Sequence, residues 1–139
     1  MKFSRKASAI WNGTGMDGKG TVSTQSTVLE NTPYSFKSRF EEGKGTNPEE
    51  LIGAAHAGCF TMQLSFLISE AGFTPTKLET AAKVFFEDGS IPKIELELKG
   101  EVPELEEAEF TKLANKAKEI CPISKLLKAE IELKSTFSN

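Results

Sequence analysis

The sequence predicts an α+β fold, with antiparallel sheets wrapped around one central apolar helix, and three observations carry that prediction. The stretch 47–72, NPEELIGAAHAGCFTMQLSFLISEAG, is long, apolar and bounded by helix signals. Between Leu51 and Ile68 its non-apolar residues (Gly53, His56, Gly58, Thr61, Gln63 and Ser65) are spread around the helix instead of sharing a face, so nearly every side needs cover. Later segments such as 94–99, IELELK, alternate apolar and charged residues, the period of a strand with one wet face.

Taken in order, residues 3–12 and 20–29 mix β-branched, aromatic and polar side chains around a glycine-rich turn at 13–20 and read as a β-hairpin. Pro33 opens a third strand, 34–40, with Tyr34, Phe36 and Ser38 on one face and Ser35, Lys37 and Arg39 on the other. A polar loop at 41–46 delivers the chain to the central helix. Asn47 caps that helix, Pro48 suits its first position, Glu49 and Glu50 favour its positive end, and Gly72 stops it. A second hairpin joins 78–87 to 91–102 through Asp88-Gly89. From 104 to 121 the period lengthens, placing Phe110, Leu113, Ala114, Ala117 and Cys121 on one helical face. Pro122 ends that helix and opens a short turn at 123–127, before a last alternating strand at 129–136. The order is βββ, α, ββ, α, β. One chain offers too little sheet to cover the central helix, so the reading adds a homodimer in which two such helices bury each other.

The 139 residues suit one domain, 1–139, with a real core; 38% are hydrophobic and 27% charged, which excludes a disordered chain. A net charge of -3 and a pI near 5.3 give no reason to expect nucleic acid or an anionic membrane as a partner. The central helix carries too many small and polar residues to read as a membrane span, and the first residues lack the apolar run of a signal peptide. The expected location is cytoplasmic. In a reducing compartment the two cysteines, Cys59 and Cys121, are either buried thiols or a working redox pair.

Several chemistries drop out on composition. One histidine and two cysteines 62 positions apart match no zinc pattern, and no metal is expected. The glycine-rich segment lies inside a hairpin rather than between a strand and a helix, so it is no phosphate cradle. No serine sits in an elbow sequence. Thiol chemistry remains. A cysteine in an apolar helix is a poor nucleophile unless a cation holds it as thiolate. Of the two arginines, Arg5 and Arg39, Arg39 ends the strand leading into the helix and is the candidate cation, with Glu49 or Glu50 as the carboxylate that would orient its planar fork. Glu49 and Cys59 are separated by roughly 15 Å along an ideal helix, so the arginine must bridge them, or the helix must break near Gly53 or Gly58. His56, one turn before Cys59, is either a second activator or a core histidine with a hydrogen bond. On residues alone Cys59 is as well read as a small buried hydrophobe, Cys121 as structural, and Arg39 as an exposed strand end.

The run 39–60, RFEEGKGTNPEELIGAAHAGCF, followed by SEAGFTPT and by CPISKLLKAEIEL, resembles the osmotically inducible protein C (OsmC) branch of the OsmC/Ohr family of hydroperoxide-reducing enzymes. The similarity extends to WNG, GKGTVST and PYSF near the start. The resemblance implies a thiol-dependent peroxidase working as an intertwined homodimer, its active sites at or near the subunit interface, with no bound metal or organic cofactor. It makes Cys59 the peroxidatic cysteine, Cys121 the resolving one, Arg39 the activating arginine and Glu49 the glutamate that orients it. Organic hydroperoxides are the implied substrates, favoured over hydrogen peroxide by an apolar lining expected from Leu51, Phe60, Met62 and the partner subunit. An external, lipoyl-type dithiol is the implied reductant. Two rival readings stand beside it: a non-enzymatic redox sensor or binding module, and a structural dimer with inert thiols.

Overall fold

The computed structural model describes all of residues 1–139, and its hydrogen bonds divide the strands between two three-stranded sheets. The chain runs β1 (Ala7–Asn12), β2 (Lys19–Thr24), β3 (Thr32–Tyr34), α1 (Phe36–Phe40), α2 (Pro48–Glu70), β4 (Lys77–Glu87), β5 (Ser90–Glu101), α3 (Glu107–Ile120), α4 (Pro122–Leu126) and β6 (Glu130–Ser138). Two compact units result, Met1–Leu51 and Ile52–Asn139.

In the first unit β1, β2 and β3 form an antiparallel meander in which Trp11 pairs with Gly20 and Gly20 with Tyr34. A side chain at Gly20 would overlap both rings, and its absence lets Trp11 and Tyr34 close to 5.2 Å between centroids. The third strand is shorter than expected. It stops at Tyr34 because Ser35 and Ser38 form a capping box: Ser35 N donates to Ser38 Oγ at 2.8 Å and Ser38 N to Ser35 Oγ at 3.2 Å. Those local bonds turn residues 36–40 into α1 and override the alternation that suggested a strand. Arg39 therefore stands on a one-turn helix. The polar loop folds back on it, with Ser38 Oγ donating to Thr46 O at 2.8 Å and Asn47 Nδ2 to Ser38 O at 3.1 Å. Asn47 also caps α2 as expected, its Oδ1 accepting from Glu50 N at 2.8 Å.

In the second unit Asp88 and Gly89, both at positive φ (47° and 80°), make the expected tight turn between β4 and β5. β6 joins the sheet parallel to β5, pairing Ile94 with Ile131 and Leu96 with Leu133. This departs from the expectation of antiparallel pairing throughout, and the cause is topological. Between β5 and β6 the chain spends α3 and α4 returning to the end where β5 began, so it re-enters in the same direction. Ile94, Leu96 and Leu98, fully buried on the central strand, pack with Phe60, Leu64 and Ile68 of α2 and with Phe110, Ala114 and Ala117 of α3. At roughly 25 cal/mol per Å² of apolar surface, each of the leucine, isoleucine and phenylalanine side chains contributes about 1.5–3 kcal/mol to holding the helices on the sheet.

By length and composition α2 is long and apolar enough to cross a membrane, yet one stripe of it (His56, Phe60, Leu64, Ile68) is buried against the second sheet and its helices. The opposite side is not covered in a single chain: Met62 is 64% and Phe66 59% exposed. α2 runs without interruption, so Gly53 and Gly58 are not breaks; a Cβ at Gly53 would come within 3.4 Å of Val84.

Candidate active site

Cys59 lies in the middle of α2, and Cys121 sits where α3 gives way to α4. Pro122 creates that junction. The residue before a proline avoids helical geometry, and Cys121 takes φ -57°, ψ 123°, which leaves the helix axis and presents its sulfur toward α2. The two sulfurs are 2.9 Å apart, both as free thiols, with Cys121 Sγ donating to Cys59 Sγ. Cys121 is fully buried and Cys59 half-buried. Burial pushes the Cys59 thiol above its ordinary value, and the hydrogen bond with Cys121 adds to the rise; a backbone N–H from Ile123 pulls the other way. No cation is among the groups that act on this sulfur within its unit.

His56 is buried on the same face of α2. Its Nε2 lies 2.7 Å from Ser124 Oγ, and its Nδ1 has no partner. Burial lowers its pKa, so the ring is neutral at pH 7. Of the two readings of this residue, the hydrogen-bonded core histidine is the observed one. Sequence reasoning missed Ser124, because a serine in a tight turn looks like solvent-facing turn chemistry.

Arg39 and Glu49 meet in the first unit. Arg39 Nε donates to Glu49 Oε1 at 3.0 Å and to Oε2 at 3.3 Å, and Nη2 donates to Oε1 at 2.8 Å. This is a side-on, multiply bonded carboxylate–guanidinium pair, the geometry that fixes the plane of the fork. Glu50 is occupied elsewhere, accepting from Thr46 Oγ1 at 2.6 Å, so Glu49 is the arginine's carboxylate. Beside Arg39 opens a cavity of about 450 Å³ lined by Trp11, Met16, Tyr34, Phe36 and Phe40. This lining was not expected; it depends on the register that sets Trp11 and Tyr34 across Gly20. The expected lining residues lie elsewhere: Phe60 is fully buried in the core, Met62 borders a depression with Thr61, Leu78 and Thr80, and Leu51 borders a cleft beside Ala7 and Val22. No three His, Cys, Asp or Glu side chains gather as a metal-binding group.

Comparison with known proteins places these pairs in context. Residues 41–136 match the family model described as OsmC-like protein. The chain is 50% identical over 137 residues to the peroxiredoxin OsmC of Escherichia coli, covering 96% of each. It is 31% identical over 103 residues, 69% of each chain, to the organic hydroperoxide resistance protein of Xanthomonas axonopodis pv. citri. Among solved structures, an organic hydroperoxide resistance protein from Elizabethkingia anophelis is similar at TM-score 0.68 and 30% identity, over 100% of this chain and 99% of that one. An OsmC-like protein from Mycoplasma pneumoniae shares the fold at TM-score 0.79 and 15% identity, over the whole of both chains.

Proposed function

The chain belongs to the OsmC-like protein family, and from that premise we propose how its own residues run a thiol-dependent peroxidase cycle on organic hydroperoxides. The protein is a cysteine-based peroxidase that works without a bound prosthetic group. Cys59 is the peroxidatic cysteine. As thiolate it attacks the terminal oxygen of the hydroperoxide; the S–O bond forms as the O–O bond breaks, and the alkoxide takes a proton and leaves as alcohol. Arg39 supplies the positive charge that keeps the sulfur ionised and steadies the charge growing on the leaving oxygen, and Glu49 holds the guanidinium in its plane. Cys121 resolves the resulting sulfenic acid by forming a disulfide, and an external dithiol of lipoyl type reopens it.

The observation that carries this reading is the pair of free thiols 2.9 Å apart in an apolar setting, close enough that resolution needs only a short approach. The aromatic cavity beside Arg39 supports a preference for organic hydroperoxides over hydrogen peroxide, since an alkyl or aryl group gains by leaving water there. The bare stripe of α2 at Met62 and Phe66 supports a homodimer in which two copies cover each other, with active sites at or near the interface and residues 1–139 acting as one domain. The setting is the cytoplasm, where a dithiol reductant is available.

Turnover separates a catalyst from a sensor. With cumene hydroperoxide and dihydrolipoamide, wild type should consume many equivalents, Cys59→Ser none, and Cys121→Ser one, followed by overoxidation of Cys59. Consumption by wild type that stops after one equivalent would make the protein a redox sensor. Normal turnover by Cys121→Ser would remove its resolving role.

A further inference from the structure

His56 is a buried polar side chain to which the cycle above gives no task. It begins the buried 56, 60, 64, 68 stripe of α2, where the other three positions are Phe60, Leu64 and Ile68. One ring nitrogen is bonded to Ser124 and the other to nothing. An unpaired buried N–H is rarer and costlier than an unpaired acceptor, so the favoured tautomer carries its proton on Nε2 and donates to Ser124 Oγ. A leucine at this position would complete the apolar stripe and remove the unpaired Nδ1, so packing alone does not account for the histidine.

Register supplies the second observation. His56 and Cys59 are three residues apart on one face of α2, and Cys121 and Ser124 are three apart across the Pro122 turn. The His56–Ser124 contact at 2.7 Å and the Cys59–Cys121 contact at 2.9 Å are therefore adjacent rungs between α2 and the 121–124 segment, which run antiparallel. Ile123 and Leu127 pack against the core and the Ile123 N–H meets the Cys59 sulfur, but besides the thiol contact the segment's one side-chain hydrogen bond is the one to His56. α4 is five residues long, its N-cap Cys121 makes no side-chain cap bond, and Leu126 on its outer side is exposed.

We infer that the His56–Ser124 hydrogen bond is a latch that holds the Cys121 turn against α2, making both residues positioning residues for disulfide formation. This rests on the roles of Cys59 and Cys121 given above. In that step the Cys121 sulfur attacks the sulfur of the Cys59 sulfenic acid; the S–S bond forms, the S–O bond breaks, and the departing hydroxide takes up the proton lost by the Cys121 thiol and leaves as water. A second hydroperoxide competes for the same sulfenic acid, transferring its terminal oxygen to give the sulfinic acid and releasing alcohol. Resolution wins only while Cys121 stays within reach. A loosened latch shifts this partition toward the sulfinic acid without stopping the first oxidation.

The test treats wild type, Ser124→Ala and Ser124→Thr with one equivalent and then an excess of cumene hydroperoxide, and follows the Cys59 products by mass spectrometry over time. Ser124→Ala should close the disulfide about tenfold more slowly, with a matching rise in sulfinic acid, while its sulfenic acid forms within about twofold of the wild-type rate. Ser124→Thr, which keeps the hydroxyl, should restore both. If Ser124→Ala loses its cooperative melt, His56→Gln against His56→Leu makes the same comparison, the glutamine keeping an N–H for Ser124. Closure at the wild-type rate in Ser124→Ala, or in His56→Leu, overturns the latch and leaves the cysteine roles standing. Absence of a Cys59–Cys121 disulfide in oxidised wild type overturns those roles and the latch together.

Discussion

Arg39 and Glu49 meet in the first unit with their side chains 37% and 14% exposed, on a turn built from hydroxyl caps and loop carbonyls. Cys59 and Cys121 meet in the second unit against a core of Phe60, Leu64 and Ala117, all fully buried. The two regions hold what their surroundings permit. A guanidinium is cheap to keep where water and a carboxylate reach it, whereas a neutral thiol is cheap to keep where they do not. Neither region alone makes a reactive sulfur. The second unit pushes Cys59 toward the unreactive thiol, and the proposed cycle therefore assigns the activating charge to Arg39 of the first.

That division can be attacked from either side. The largest effect is expected from Arg39→Ala, which removes the charge and leaves the thiol pair intact: kcat/KM for cumene hydroperoxide should fall by about 10²-fold, roughly 2.7 kcal/mol. Arg39→Lys should recover little, because an ammonium cannot hold Glu49 side-on through two nitrogens as the guanidinium does. An Arg39→Ala enzyme with wild-type kinetics would mean that the first unit contributes nothing to the chemistry.

A smaller effect belongs to Glu49→Gln. It keeps the size of the side chain and loses the charge that fixes the fork, and should lower kcat/KM about tenfold, or roughly 1.4 kcal/mol. A loss equal to that of Arg39→Ala would show that Glu49 does more than orient.

The smallest effect concerns the second unit alone and is a matter of stability. Burial holds His56 below its ordinary value, so just under that value the unfolded chain binds a proton that the folded chain does not. The neutral-pH stability is fully present above about 6.5 and is lost as pH falls from there through the folded value. His56→Gln should flatten the melting temperature between about pH 6.5 and 5. An unchanged acid slope would show that another group causes it.

Much of this was legible in the chain. The ends of α2 were, because Asn47, Pro48 and Gly72 are local signals that act within a turn of themselves. The β4–β5 hairpin was, because Asp88-Gly89 admits positive φ. The direction of β6 was not, since alternation of Ile131 and Leu133 reads the same from either end. Residues 36–40 were misread because alternation over five residues also fits one helical turn, and the deciding signal was the spacing of Ser35 and Ser38. Both cysteines, the arginine and its carboxylate were named as candidates from the chemistry and the resemblance, and the structure pairs Cys59 with Cys121 and Arg39 with Glu49. Ser124 and the Trp11–Tyr34 cavity were not named, because each depends on strands or helices far apart in sequence meeting in register.

The claim on which the rest depends is that Arg39 reverses the rise that burial gives Cys59. Titration of the Cys59 thiolate by its absorbance near 240 nm, a band read in wild type against Arg39→Ala in a Cys121→Ser background, tests it directly. A value below the ordinary thiol range is expected with Arg39 in place, and one above it once the arginine is gone. An ordinary or elevated value in both would contradict it.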